Sequence, residues 1–475
     1  RTLIDQVTRS RKVREVIAEE AEHLDIEVSK LNRRAKKNAR TIASDMAHPT
    51  IRILTILLSW FWNKIYDGID IRGLSQLDEI SETHTLVYVP SHRSHLDYLL
   101  LSYLLYHRGL MIPHIAAGDN LNIPFLGGVL RRGGAFFMRR SFRDDPIYQA
   151  VFEEYLYQVY WQGHAVEFFP EGGRSRTGRL LSAKYGLLRM TIDAFRRGLP
   201  KPLAFVPVYF SYEKLVEGAS YLSELRGADK KRESIGDLVR NLKLIRQDFG
   251  RVTVSLAKPI PLDTWLDAKD ATDGDQLAHQ LGRDIMIGIN QHAYLNAVNI
   301  VALVTLGTPK LAIEKDLLRS QIACYQRMLA YAQTVLPIGY CEDSPDELID
   351  RTEQLGLLNK EIQPYGTVYA HSEYSAVLMT WYRNNTMHTL LMPSLIACLV
   401  VRRRRGIHMD SLRRLVELIF PYLARELSVP TEDNNFDGWV AFLAEAGIIH
   451  LDQELISTPV GEAKLQIQLQ LLAKL

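Results

Sequence analysis

The chain has 475 residues, 47% of them hydrophobic and 24% charged. At about 150 residues per domain this allows roughly three domains, and it excludes both a disulfide-stapled miniprotein and a disordered, charge-rich chain. Lys and Arg number 57 against 55 Asp and Glu, so the net charge of +2 excludes a uniformly basic surface and leaves local patches open. Cys324, Cys341 and Cys398 are widely spaced, with no CxxC and no His cluster beside them. They point to a reducing compartment, and neither a metal site nor a cofactor is expected. The chain starts at Arg1 with no signal segment, which reads as part of a longer protein.

Residues 1–75 are expected to be a helical N-terminal region, from the three- and four-residue spacing of Val13, Ile17, Leu24, Ile26 and Leu31. Arg33, Arg34, Lys36, Lys37 and Arg40 read as a solvated helix face. The stretch Ile51–Ile69 sets Trp60, Phe61 and Trp62 beside Arg52, Lys64 and Asp67, which suits either an interfacial membrane helix or a core helix. Residues 76–265 change texture. Strands are predicted at Thr85–Val89, His114–Ala117, Ala135–Met138, Ala165–Phe169, Ala204–Phe210 and Val252–Leu256, with helical segments between them. That alternation predicts an α/β domain with a mixed, largely parallel sheet flanked by helices, its ligand crevice beyond the strands' carboxyl ends. Residues 266–475 are expected to be a helical C-terminal region. There Thr389–Val401 is apolar up to Arg402–Arg405, with the same two readings as Ile51–Ile69, and Ile448–Pro459 follows two helices as a wing-like hairpin. No window holds the roughly 18 uninterrupted apolar residues of a spanning helix.

Four segments of the α/β region carry chemistry. Pro90 ends the first strand, and His92 follows in a loop with Asp97 five residues on. Ser94 and Asp97 also have capping-box spacing, so Asp97 serves either a helix N-terminus or an imidazole. In the second role it fixes the tautomer of a general base with no protein nucleophile between, a pair suited to a hydroxyl on the substrate. His95 competes with His92 but belongs to the first helical turn. Arg131, Arg132, Arg139, Arg140 and Arg143 surround Gly133 and Gly134, and guanidinium is matched to phosphate. Glu171-Gly172-Gly173-Arg174-Ser175-Arg176-Thr177-Gly178-Arg179 nearly matches a nucleotide P-loop, but Arg179 and Leu180 stand where Lys and Ser or Thr are needed. An anion-binding turn remains, with Glu171 its one acid. Pro207, inside a strand, marks an edge or a bulge and a possible pocket wall.

In this order the segments resemble the glycerolipid acyltransferase superfamily: His92 with Asp97, Phe136-Phe137-Met138-Arg139-Arg140, Glu171 to Gly178, and Val206-Pro207. The Glu171–Gly178 string and the long helical flanks are similar to the large bacterial membrane-bound glycerol-3-phosphate 1-O-acyltransferases. The resemblance implies transfer of a fatty acyl group from acyl-CoA or acyl-ACP to the sn-1 hydroxyl of glycerol 3-phosphate, giving lysophosphatidic acid. It implies a peripheral or monotopic protein on the cytoplasmic side of the inner membrane, with anionic lipid as a partner and no nucleic acid. His92 and Asp97 would be catalytic, and Arg139, Arg140, Glu171, Gly172, Arg174, Ser175 and Pro207 substrate-binding. Acylation of another phosphate-bearing acceptor is the nearest alternative. A serine hydrolase lacks its GxSxG, and a nucleic-acid or other anionic-ligand module would use the basic runs and the wing.

Overall fold

The computed structural model describes residues 2–141, 144–218, 221, 247–270, 272–403, 405–432, 435–459 and 463–474; Arg143 and Arg404, named above in basic runs, lie outside the described residues. Four helices lead in: α1 (Thr2–Thr8), α2 (Arg11–Leu24), α3 (Val28–Ile42) and α4 (His48–Ile65). Ser10 caps α2 by accepting the Val13 N–H, and α3 buries Leu31, Ala35, Ala39 and Ile42 at helical spacing. The basic residues of α3 are exposed, as a solvated face requires. The apolar stretch breaks at Tyr66, which is extended. β1 (Gly68–Arg72) follows, a strand inside the region expected to be helical, where Ile69 and Ile71 alternate with Asp70 and Arg72.

After α5 (Asp78–Thr83) come β2 (Thr85–Pro90), α6 (Asp97–His107), β3 (His114–Gly118), α7 (Leu126–Arg132), β4 (Ala135–Met138), α8 (Pro146–Trp161), β5 (Val166–Glu167), α9 (Gly186–Arg196), β6 (Leu203–Tyr212), β7 (Arg251–Leu256) and β8 (Ile260–Pro261). These strands and β1 form one eight-stranded sheet in the order β1-β7-β6-β2-β5-β3-β4, with β8 beside β6. Neighbours are parallel except β6 with β7 and β8. All residues of β2 and β6 are buried, which is why they read as continuous apolar runs. Pro207 lies in this central strand. β2 flanks it on one side; on the other, β8 pairs at Ala204 and Phe205 and β7 from Val208 onward. The proline falls where the neighbour changes, so its missing N–H costs no ladder bond.

One sheet face packs on α2, α3, α8, α9 and the helix α11 (Gly274–Gln291), reached through α10 (Leu262–Asp267). The other packs on α4, α6 and the C-terminal region. That region holds β9 (Tyr294–Leu295), α12 (Ala297–Thr305), β10 (Ala312–Glu314), α13 (Lys315–Ala332), β11 (Gly339–Tyr340), α14 (Pro345–Gln354), β12 (Asn359–Gln363), β13 (Gly366–Ala370), α15 (Glu373–Thr386) and α16 (Leu391–Val401). It ends in β14 (Ile407–His408), α17 (Met409–Glu426), α18 (Phe436–Glu445), β15 (His450–Asp452), β16 (Leu455–Ser457) and α19 (Ala463–Leu472). The expected wing is the β15–β16 hairpin, with β14 added to β16. Glu373–Val401 is long and apolar enough to cross a membrane, yet 72% of its most apolar window is buried inside the protein.

Candidate active site

A cavity of about 2360 Å³ opens beyond the carboxyl ends of β2, β3, β4 and β5, where an α/β sheet places its ligands. His92, Gly118, Met138, Arg139, Arg140, Phe169, Gly172, Arg174 and Arg176 line one part of it; Ile51, Leu54 and Leu58 of α4, with Leu99, Ile115, Leu126 and Leu130, line an apolar part.

His92 Nδ1 lies 3.1 Å from Asp97 Oδ2. The same oxygen accepts the backbone N–H groups of Arg93 at 2.6 Å and Ser94 at 2.9 Å, and Oδ1 accepts the Tyr212 hydroxyl at 2.7 Å. Asp97 is the first residue of α6 and accepts the Ser94 N–H, so the cap reading and the imidazole reading are one arrangement. With Nδ1–H given to the carboxylate, Nε2 keeps its lone pair. Burial pushes the Asp97 carboxyl up to about 7, against the hydrogen bonds of Ser94, Tyr212 and Arg93 that favour the anion. Burial, then the charges of Arg174, Arg176 and Arg93, holds the His92 imidazole well below its ordinary value, so the base is neutral at rest. The ring stacks on Phe169, centroids 4.0 Å apart. Among the described residues no side-chain hydroxyl or thiol is hydrogen-bonded to this imidazole.

Glu171 is buried behind the cavity wall and does not line the cavity; its carboxylate feels the charge of Arg93 and its side-chain hydrogen bonds go to backbone. Oε1 accepts the His92 N–H at 2.7 Å and Oε2 the Leu181 N–H at 2.8 Å, so it pins the base's backbone to the Gly-rich loop. Burial raises it to about 7, against Arg93 and these two N–H groups. Ser175 is also buried: its N–H donates to His92 O at 3.1 Å and its hydroxyl to Arg179 O at 2.5 Å. Pro207 does not line the cavity; its ring packs where Gly288 of α11 leaves room. Gly172 and Gly178 have φ of +65° and +86°, conformations that favour glycine. His95 lies just before α6, its N–H on Glu217 at 2.7 Å, its ring lowered to about 3 by burial and by Arg174.

A family model described as "Glycerol-3-phosphate acyltransferase C-terminal region" matches residues 221–475, more than half of the chain, and one described as "Acyltransferase" matches residues 70–211. The chain belongs to the glycerol-3-phosphate acyltransferase family. Proteins named glycerol-3-phosphate acyltransferase are 40% identical in Ectopseudomonas mendocina (strain ymp), 41% in Pseudomonas putida (strain W619) and 40% in Pseudomonas aeruginosa (strain UCBPP-PA14), each aligned to 100% of this chain. The chain spans 59% of the length of those relatives. A solved 1-acyl-sn-glycerophosphate acyltransferase of Thermotoga maritima aligns with 50% of this chain and 78% of its own at TM-score 0.30 and 14% identity.

Several residues that hold the Glu171–Gly178 loop in place were not singled out in the sequence. Arg93 is fully buried beside Asp97 and Glu171, donating to Gly178 O at 2.8 Å between the rings of Tyr209 and Trp381. Trp381 of α15, 206 residues downstream, donates to Ser175 O at 3.2 Å, and Asn384 to Thr177 O at 2.8 Å. Such partners come from distant elements, and no local spacing marks them. Arg139, by contrast, is held to Asp145 at 2.9 Å over the Tyr148 ring, while Arg140 is exposed at the cavity.

Proposed function

We propose that the chain transfers a fatty acyl group from acyl-CoA or acyl-ACP to the sn-1 hydroxyl of glycerol 3-phosphate, giving lysophosphatidic acid. The observation that carries this is a neutral, carboxylate-oriented imidazole at a cavity that joins a guanidinium-rich wall to an apolar one. His92 Nε2 removes the acceptor's hydroxyl proton, the alkoxide attacks the thioester carbonyl, and the proton returns to the departing thiolate. Asp97 holds the tautomer and stabilises the imidazolium. Arg174, Arg140 and Arg139 hold the phosphate, Gly172 lets the loop approach it, and Glu171 and Ser175 fix the loop. Pro207 acts at one remove, as packing behind the sheet.

The support for a membrane site is the outer face of α4. Ile53, Ile56, Leu57 and Trp60 are 56–65% exposed between Arg52 and Lys64, and Phe125, just before α7, is 89% exposed. Leu54 and Leu58 of the same helix line the cavity. A helix lying in the headgroups with Trp at the interface would open the apolar part of the cavity to lipid; the cytoplasmic face of the inner membrane, carrying anionic lipid, is the proposed place. No nucleic acid is proposed as a partner.

The experiment is radiolabelled glycerol 3-phosphate with palmitoyl-CoA and the full chain, with and without phosphatidylethanolamine–phosphatidylglycerol vesicles. Labelled lysophosphatidic acid is the expected product. Thioester cleavage that needs no glycerol 3-phosphate would replace this reading with a hydrolase.

A further inference from the structure

α3 carries six cations, Lys30, Arg33, Arg34, Lys36, Lys37 and Arg40, and no acid in its 15 residues. All six are exposed. Two serve the fold: Arg34 pairs with Asp145 at 2.9 Å and Lys36 with Asp5 at 3.5 Å. The other four have no acidic partner among the described residues; Arg33 reaches back only to Ser29 of its own helix, at 3.4 and 3.5 Å. Spaced three, four and three residues apart, Lys30, Arg33, Lys37 and Arg40 form one stripe, about 15 Å long at 1.5 Å per residue. Like charges at that spacing repel, so the stripe works against the helix that bears it. Packing does not call for it, since the opposite side of α3 buries Leu31, Ala35, Ala39 and Ile42. The stripe adjoins the cavity. At its C-terminal end Arg131 of α7 donates to the carbonyls of Arg40, Thr41 and Ala43, and Leu126 and Leu130 of α7 line the cavity's apolar part. Alongside it, Asp145 accepts both Arg34 of α3 and Arg139 of the cavity wall. None of the four stripe residues lines the cavity itself. α3 packs on the sheet face opposite α4, so the stripe lies across the sheet from the exposed apolar side of α4.

We propose that this stripe is the docking face for an acidic acyl-carrier protein, which presents its thioester to the cavity alongside. The proposal rests on the acyl-transfer reading above, and it concerns how the donor is held rather than the chemistry at His92. A row of separated cations on a convex helix suits a protein surface with carboxylates at matching intervals, whereas a small anion needs donors that converge in a pocket. The stripe's place across the sheet from α4 suits a partner that arrives from water rather than a bilayer. Opposed charges of this kind speed encounter and fix register, and they weaken with salt. Acyl-CoA brings no such surface, so the stripe separates two donors that share one thioester.

The test uses the full chain with glycerol 3-phosphate and either palmitoyl-ACP or palmitoyl-CoA, at low and at high salt. Arg33→Gln, Lys37→Gln and Arg40→Gln together are expected to raise the KM for palmitoyl-ACP by on the order of tenfold at low salt. The KM for palmitoyl-CoA and both kcat values should stay close to the parent's. High salt should raise the parent's KM for palmitoyl-ACP and barely move the variant's, and Arg33→Lys with Arg40→Lys, which keeps the charge, should keep the parent's KM. Equal loss with both donors, or no loss with either, overturns the proposal. So does a triple variant whose only change is lost sedimentation with phosphatidylethanolamine–phosphatidylglycerol vesicles, which gives the stripe to lipid. Transfer by the parent from palmitoyl-CoA but not from palmitoyl-ACP overturns the proposal and leaves the acyl-transfer reading standing. Transfer from neither overturns that reading.

Discussion

At His92 the backbone is held as tightly as the ring: its N–H is on Glu171, its carbonyl takes Ser175 N–H, and its Nδ1 faces Asp97. His92→Ala therefore leaves the loop anchored and removes only the base. It is expected to lower kcat by roughly 10²- to 10⁴-fold with little change in the KM for glycerol 3-phosphate, read from initial rates. A different carboxylate reports on stability. Glu167 is fully buried in β5, and neither of its side-chain oxygens has a hydrogen-bond partner among the described residues. Burial and the charge of Asp97 raise it well above its ordinary 4.5. The folded chain thus holds this proton to higher pH than the unfolded chain does, so the group's contribution is present below about 4.5 and is lost as pH rises through its folded value. Glu167→Gln should raise stability at pH 8 by roughly 1–3 kcal/mol, a gain that shrinks toward pH 5, measured by denaturant unfolding at both pH values.

The Gly-rich loop is the element on which the site depends, and its brace comes from α15. A Cβ on Gly178 would stand 2.1 Å from the Trp381 carbonyl oxygen, at a φ of +86°. Gly178→Ala must move the loop away from α15 and loosen the Trp381–Ser175 and Arg93–Gly178 bonds with it. The expected loss is about 1–3 kcal/mol, with KM for glycerol 3-phosphate rising more than KM for the donor; equal changes would show that the loop does not seat the phosphate. The loop itself was legible, because Gly-rich and Arg-rich sequence directly after an apolar run places an anion site at a strand's carboxyl end. Its brace was not, since Trp381 and Asn384 lie in an ordinary amphipathic helix. The sheet was legible for a similar reason: six buried strands are short apolar runs with Pro or Gly beside them. β1 was hidden because its Ile-Asp-Ile-Arg alternation is short and follows closely on an apolar helix.

Over the whole molecule, two apolar stretches that look alike in sequence have opposite surroundings. Hydropathy counts residues, whereas burial depends on which neighbours the fold supplies. α16 is covered by α17, α18 and α19, so Ile396, Ala397 and Val400 are fully buried, and Arg402, Arg403 and Arg405, which follow, are exposed. α4 is covered on one side only, by α6 and α7, and its other side keeps Ile53, Ile56, Leu57 and Trp60 in solvent. Removing apolar area from that face should cost the folded chain almost nothing and cost membrane binding a great deal. A fully buried large side chain is worth about 1.5–3 kcal/mol, so two charges placed here should weaken partition into phosphatidylethanolamine–phosphatidylglycerol vesicles by on the order of tenfold or more. Ile56→Glu with Trp60→Glu is therefore expected to leave the melting temperature close to that of the parent while the protein stays in the supernatant on vesicle sedimentation. Ile396→Glu in α16 should do the reverse, unfolding the C-terminal region because it buries an unpaired charge. Sedimentation unchanged by the α4 pair would move the lipid contact to another face.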